Sequence, residues 1–186
     1  RVDGSHAATV AAGNSLGIGP IYYYGDENQK MNFLPELCSG EALWGFGLTE
    51  PDAGSDAGNS RTTAVIDGNE WVINGSKIFI TNASTDITTG VTVMARTGVH
   101  DDGRPELSCI IVEAGTPGYT ARVMHDKMMW RASNTSELYF EDCRVPKENV
   151  IGGMSMVGQG FKTAMRVLDK GRLTMGAAAL GASQKL

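Results

Sequence analysis

The chain has 186 residues, room for one substantial domain with parts of others, and at 41% hydrophobic and 20% charged its composition is that of an ordinary globular protein. Its net charge of −5 comes without any block of basic residues, which argues against a nucleic-acid surface. No apolar run reaches the ~20 residues that a membrane span needs, and Arg1-Val2-Asp3-Gly4-Ser5-His6 lacks the apolar core of a secretory signal.

Residues 1 to about 40 read as helical. Ala7, Ala8, Val10, Ala11 and Ala12 suit a helix, with Leu16, Ile18 and Ile21 following; Gly17, Gly19 and Pro20 predict a break between them. Asp26 is a candidate N-cap for a helix that sets Met31, Phe33, Leu34 and Leu37 on one face. Pro35 should kink or end that helix, and Ser39-Gly40 should close it. The run Tyr22-Tyr23-Tyr24 reads as packing before recognition.

From Ala42 the pattern changes to short β-rich runs with turn dipeptides between them. Strands are expected at 43–48, 61–66, 70–73, 77–81, 91–96, 107–113, 119–124 and 136–140, with Asp67-Gly68 and Asn74-Gly75 as turns. No helical pattern separates them, which speaks against a parallel βαβ sheet and for an antiparallel sandwich or barrel. Residues 98–105 read as a long polar loop. Pro146 ends the sheet, and the glycines at 152–153 and 158–160 form a connection to a further helix. There Phe161, Ala164, Met165 and Leu168 repeat at helical spacing. Arg172 falls on the same stripe with Asp169 three residues before it, so it is either paired or turned to a ligand. Cys38, Cys109 and Cys143 form no C-x-x-C and read as buried free thiols in a reducing compartment. His6, His100 and His125 show no metal-ligand spacing.

The stretch Phe46-Gly47-Leu48-Thr49-Glu50-Pro51-Asp52-Ala53-Gly54-Ser55-Asp56 begins as a strand and breaks into a loop. Pro51 and Gly54 allow a sharp turn that could leave amides and the Thr49 and Ser55 hydroxyls around one concavity, suited to a flat polar ring or a phosphate. The same residues are ordinary in surface turns. This stretch resembles the flavin-binding signature of acyl-CoA dehydrogenases. Three further pieces follow in the family's order: Ile73-Asn74-Gly75-Ser76-Lys77-Ile78-Phe79-Ile80-Thr81-Asn82, then Phe140-Glu141-Asp142-Cys143-Arg144-Val145-Pro146-Lys147-Glu148-Asn149-Val150, then Gly160-Phe161-Lys162 with Leu168-Asp169-Lys170-Gly171-Arg172.

The resemblance implies an α+β, multi-domain chain whose antiparallel β-sandwich or barrel middle domain is flanked by helices. It would carry the end of an N-terminal helical domain (1–41), the middle β domain (42–153) and the start of a C-terminal helical domain (154–186). It implies FAD-dependent oxidation of an acyl-CoA thioester, with electrons passed to an electron-transfer flavoprotein, in a homotetramer or homodimer of the full-length protein. The location implied is the cytoplasm in a bacterium or the mitochondrial matrix in a eukaryote. Phe46, Leu48, Thr49, Gly54, Ser55, Phe79, Ile80 and Thr81 would hold the cofactor, with Phe79 where the family commonly has Trp. Ser55, Asp169 and Arg172 would meet the substrate. Some family members carry the catalytic glutamate immediately before that arginine; here the position is Gly171, so the base is expected outside this chain, and Glu50 and Glu113 are not assigned to that role. With no initiator Met and a last helical run at 177–186, the chain reads as an internal stretch, weak in FAD binding and inactive alone. The other readings are an acyl-CoA oxidase, a flavin monooxygenase-like relative, and a non-catalytic β-sandwich interaction module.

Overall fold

The computed structural model describes residues 3–184; Arg1, Val2, Lys185 and Leu186, which fall in the expected opening and closing runs, lie outside the described residues. Three helices come first: α1 (Gly4–Ala12), α2 (Ile18–Tyr24) and α3 (Glu27–Ser39). The expected break between α1 and α2 is instead a π-helical turn over Gly13–Gly17, with the Ile18 N–H reaching back to the Gly13 carbonyl. A π turn absorbs an extra residue without interrupting the helix, and Pro20 sits within α2 without ending it. Gly17 is required there by space. A Cβ on it would lie 2.6 Å from the Trp44 carbonyl oxygen, so the π turn touches the first strand backbone to backbone.

Asp26 caps α3 as expected, in a capping box with Gln29. Gln29 does more than cap: its amide donates to the Glu148 and Val150 carbonyls at 2.9 and 2.7 Å, and its oxygen accepts from the Gly152 N–H at 2.9 Å. The helix runs through Pro35 and stops at Gly40, whose φ of 83° is left-handed. Leu37 is buried but Met31 is exposed, and Tyr22 and Tyr23 stand in solvent rather than in the core.

Seven strands follow: β1 (Leu43–Gly47), β2 (Thr63–Asp67), β3 (Glu70–Thr81), β4 (Thr88–Val99), β5 (Pro105–Glu113), β6 (Tyr119–Val123) and β7 (Thr135–Pro146). They form one curled sheet in the order β1-β4-β2-β3-β7-β6, with β5 on β4. Most pairings are antiparallel, as expected. Two are parallel: β1 lies along β4 from Leu43 opposite Thr88 to Gly47 opposite Val93, and β2 meets β4 at Thr63 and Arg96. These parallel pairs are joined through the β2–β3 hairpin and not through an α-helix.

Asn74-Gly75 is not a turn. β3 passes straight through it with a register shift, and Gly75 takes φ 144°. The expected long loop at 98–105 is shorter, because Val99 pairs with Pro105 across a tight β4–β5 connection.

β4 and β5 are buried on both faces. Val91, Val93, Ile110 and Val112 join Trp71, Ile73, Leu138 and Phe140 inside the curl. Met94, Leu107, Cys109 and Ile111 face the helices with Ile21, Leu37, Trp44 and Phe46. Helix α4 (Gly160–Ser183) closes this second core. Its buried stripe is Gly160, Thr163, Ala164 and Val167, one step round from the expected one, which leaves Phe161 exposed. Cys109 and Cys143 are buried thiols and Cys38 is exposed.

Candidate functional site

The loop after β1 is fixed by an ion pair inside the protein. Lys77 of β3 and Glu50 of the loop are both buried, 2.7 Å apart. The Glu50 carboxylate also accepts from the Ser60 hydroxyl and from the N–H groups of Arg61 at 2.6 Å and Thr62 at 3.0 Å. The Lys77 ammonium donates as well to the Leu48 carbonyl and the Ser60 hydroxyl, each at 3.2 Å. Burial by itself would raise the Glu50 pKa. The Lys77 charge and the four donors outweigh it and hold the carboxyl at about 2. For Lys77 burial is the larger effect, pulling its pKa below the ordinary lysine range against the attraction of Glu50. The nearby Cys109 thiol is pushed up to about 12 by burial.

Next to this pin, the Ile78 N–H donates to the Thr49 carbonyl at 2.9 Å. β3 then bulges between Lys77 and Ile80. Phe79 sits in the bulge at φ +63°, a left-handed conformation costly for a side chain with a Cβ, and is 61% exposed. Ile80 turns inward and Thr81 ends the strand.

The loop and the bulge face one cleft of about 120 Å³. Phe46, Leu48 and Thr49 form one wall, and Phe79, Ile80 and Thr81 another. Trp44, Leu168 of α4, and Ala12, Leu16 and Gly17 from the helical start complete it. Neither the Thr49 nor the Thr81 hydroxyl is engaged by another described residue. The cleft therefore offers apolar walls with two free hydroxyls, one from the loop after β1 and one from the end of β3, a surface fit for a flat ring with a polar edge.

Two expected members stand apart. Gly54 and Ser55 lie beyond the pin, exposed and outside the lining. Gly54 has no left-handed φ, and a Cβ on it would meet nothing within 4 Å, so the turn there does not depend on glycine.

A second cavity of about 380 Å³ opens beside the first and shares Thr81, Ala12, Leu16 and Leu168 with it. It is an apolar groove between α1 and α4, with Ala8, Ala11, Ser15, Trp130, Gly171, Arg172 and Met175 on its walls. Asp169 does not line it; it forms an exposed ion pair with Arg172. Sequence reasoning missed this groove, the Glu50–Lys77 pin and the part played by Leu16 and Trp130. Lys77 was legible in principle: once Asn74-Gly75 is read as a continuing strand and not as a turn, the inward alternation of Trp71 and Ile73 leads to Lys77.

The family model for the acyl-CoA dehydrogenase middle domain matches residues 45–143, and that for the acyl-CoA dehydrogenase N-terminal domain matches residues 1–41. A probable acyl-CoA dehydrogenase of Bacillus subtilis is 48% identical over 181 residues, 97% of this chain and 46% of that protein. The structure of butyryl-CoA dehydrogenase from Megasphaera elsdenii superposes with a TM-score of 0.89 at 42% identity, over 98% of this chain and 46% of that one. An acyl-CoA dehydrogenase complexed with FAD from Bacillus anthracis gives a TM-score of 0.87 at 36% identity, over 97% of this chain and 30% of that one. The chain spans about half the length of the curated relatives it matches. By sequence and by fold, it belongs to the acyl-CoA dehydrogenase family.

Proposed function

We propose that the protein containing this chain uses FAD to oxidise an acyl-CoA thioester to its trans-2-enoyl form, and that the chain supplies one wall of the flavin site and one side of the acyl site. The observation that carries this reading is the meeting of Thr49 and Thr81, with free hydroxyls, in a cleft continuous with an apolar groove. Thr49 and Thr81 would donate hydrogen bonds to the ring's polar edge, with Phe46, Leu48, Phe79 and Ile80 against its apolar surface. When bound, FAD supplies a hydride acceptor. Ser55 would reach the cofactor phosphate or the thioester's pantetheine arm from the solvent side of the loop, with Gly54 beside it allowing close backbone approach.

The groove would take the acyl tail, with Arg172 on its wall and Asp169 paired to Arg172 outside it. Orienting the thioester and excluding water are what these walls contribute. Among the described residues lining the cleft and the groove there is no Asp, Glu or His to remove the α proton. Gly171 has no side chain, Glu50 is engaged by Lys77, and Glu113 is exposed at the end of β5. The base is therefore assigned to a part of the protein outside this chain. Residues 1–41, 42–153 and 154–186 are read as the end of a helical domain, a β domain and the start of a second helical domain. An electron-transfer flavoprotein is the proposed electron acceptor, and a homotetramer or homodimer the proposed assembly.

The test uses the full-length protein. It should purify with bound flavin whose visible absorbance bleaches on anaerobic addition of butyryl-CoA, and Thr49→Val with Thr81→Val should lose most of that flavin. A full-length protein that holds no flavin, or one whose flavin no acyl-CoA reduces, would sink the reading. Slow reoxidation of the reduced protein in air marks a dehydrogenase; rapid reoxidation marks an oxidase.

A further inference from the structure

The apolar groove has a near end and a far end. Its near end is the part it shares with the cleft, at Ala12, Leu16 and Leu168. The residues found in the groove alone reach back to Ala8 on α1 and forward to Met175 on α4. At the helical rise, Ala12 to Ala8 is about 6 Å of groove.

Trp130 stands at the far end. It lines the groove and not the cleft. It is carried on the segment between β6 and β7, which crosses to α1: the indole Nε1 lies 3.6 Å from where a Cβ on Gly4 would be, and the Thr9 hydroxyl donates to the Ser133 hydroxyl at 3.4 Å. The crossing is held from within. The Lys127 ammonium donates to the Ser133 carbonyl at 2.5 Å and to the Thr135 hydroxyl at 2.7 Å, and the Ser133 N–H donates to the Trp130 carbonyl at 3.0 Å. Trp130 takes φ +55°, left-handed and unfavourable for a bulky residue. Its neighbours Met128 and Met129 point to solvent, while Trp130 is only 41% exposed. The groove beneath it is made of small residues, Ala8, Ala11 and Gly171. A large ring, held in a strained backbone over a floor of small side chains, makes an end stop.

We propose that Trp130 closes the acyl groove and sets the longest tail it accepts, which makes it a specificity-determining residue. The inference rests on the reading of the groove as the acyl site. Each methylene buried in such a slot is worth roughly fourfold in binding. A tail long enough to reach the indole gains nothing further, because the next methylene must displace the ring or leave for water.

The experiment measures kcat/KM of the full-length flavoprotein for butyryl-, hexanoyl-, octanoyl- and dodecanoyl-CoA. Trp130→Ala should raise the octanoyl-to-butyryl ratio by about tenfold, and Trp130→Leu should give an intermediate rise. Ala8→Phe, which fills the groove short of the stop, should lower the ratio. If Ala8→Phe lowers it and neither Trp130 variant raises it, the end stop is refuted and the groove stands. If no variant moves the ratio, the groove does not hold the tail, and the assignment of the acyl site falls with it. A Trp130 variant that loses activity equally at every chain length shows a structural residue and refutes the inference.

Discussion

Glu50 is the residue on which the site's geometry turns. A carboxylate beside a proline in a flavin-type loop invites a chemical role, but its oxygens are taken up by Lys77, Ser60, Arg61 and Thr62. Removing one member of such a pair leaves the other charge buried alone. Glu50→Gln should therefore cost about 3–5 kcal/mol of stability in chemical denaturation, and adding Lys77→Met should recover much of that. A loss under about 1 kcal/mol in the single variant would mean that the pair does not hold the loop. The pair also sets a pH dependence. The folded carboxyl, at about 2, lies below its ordinary 4.5, so the unfolded chain takes up the proton first as the solution is acidified. Its contribution is fully present above about 4.5 and is lost as pH falls toward 2. Acid titration of the wild type against the double variant should show a steeper decline for the wild type in that window and parallel curves above it.

At the scale of elements, what the sequence revealed depended on whether the signal was local. The Asp26 cap, the Gly40 stop, the β2–β3 hairpin and the Pro146 end of β7 each follow from a residue's own backbone preference, and each is where the sequence put it. The π turn and the register shifts between β3 and β7 depend on partners distant in the chain, and no local pattern announces them. The same holds for the candidate site: Thr49 and Thr81 could be named from motifs, whereas the groove exists only because α4 returns beside α1. Two variants probe these elements. Gly17→Ala sets a methyl 2.6 Å from the Trp44 carbonyl oxygen, and it should lower stability by about 1–3 kcal/mol as the π turn is pushed off β1. Phe79→Gly should act the other way on the backbone. Relief of the left-handed φ in the β3 bulge should add about 1 kcal/mol to thermal stability. If Phe79 walls the flavin site, the full-length variant should at the same time release its flavin more readily, by dialysis against flavin-free buffer.

For the whole molecule, the decisive feature is that the site is shared among regions. The cleft takes residues from the helical start, from β1, from β3 and from α4, and the groove adds the segment between β6 and β7. Helix α4 also presents Leu173 and Leu180 to solvent. If the cleft is one wall of the flavin site, this stretch should bind the cofactor far less tightly than the full-length protein. Residues 1–186 expressed alone should come off a desalting column colourless under conditions where the full-length protein stays yellow. Tight, stoichiometric flavin in the short chain would mean that these walls suffice.

The parallel seating of β1 on β4 also dictates a biosynthetic order. Thr49 leaves β1 early in translation, but β1's sheet neighbour among the described residues is β4, with Leu43 awaiting Thr88. A nascent polypeptide that has emerged only through β3 has both hydroxyls and the Glu50–Lys77 pin, but it lacks the β4 strand that seats β1 and the Leu168 wall that α4 adds to the cleft. Such long-range closure is slow compared with hairpin formation. If the cleft holds the flavin, its capture belongs to the last stage of maturation, and a ribosome-bound chain arrested before β4 should fold its β2–β3 hairpin and remain blind to flavin.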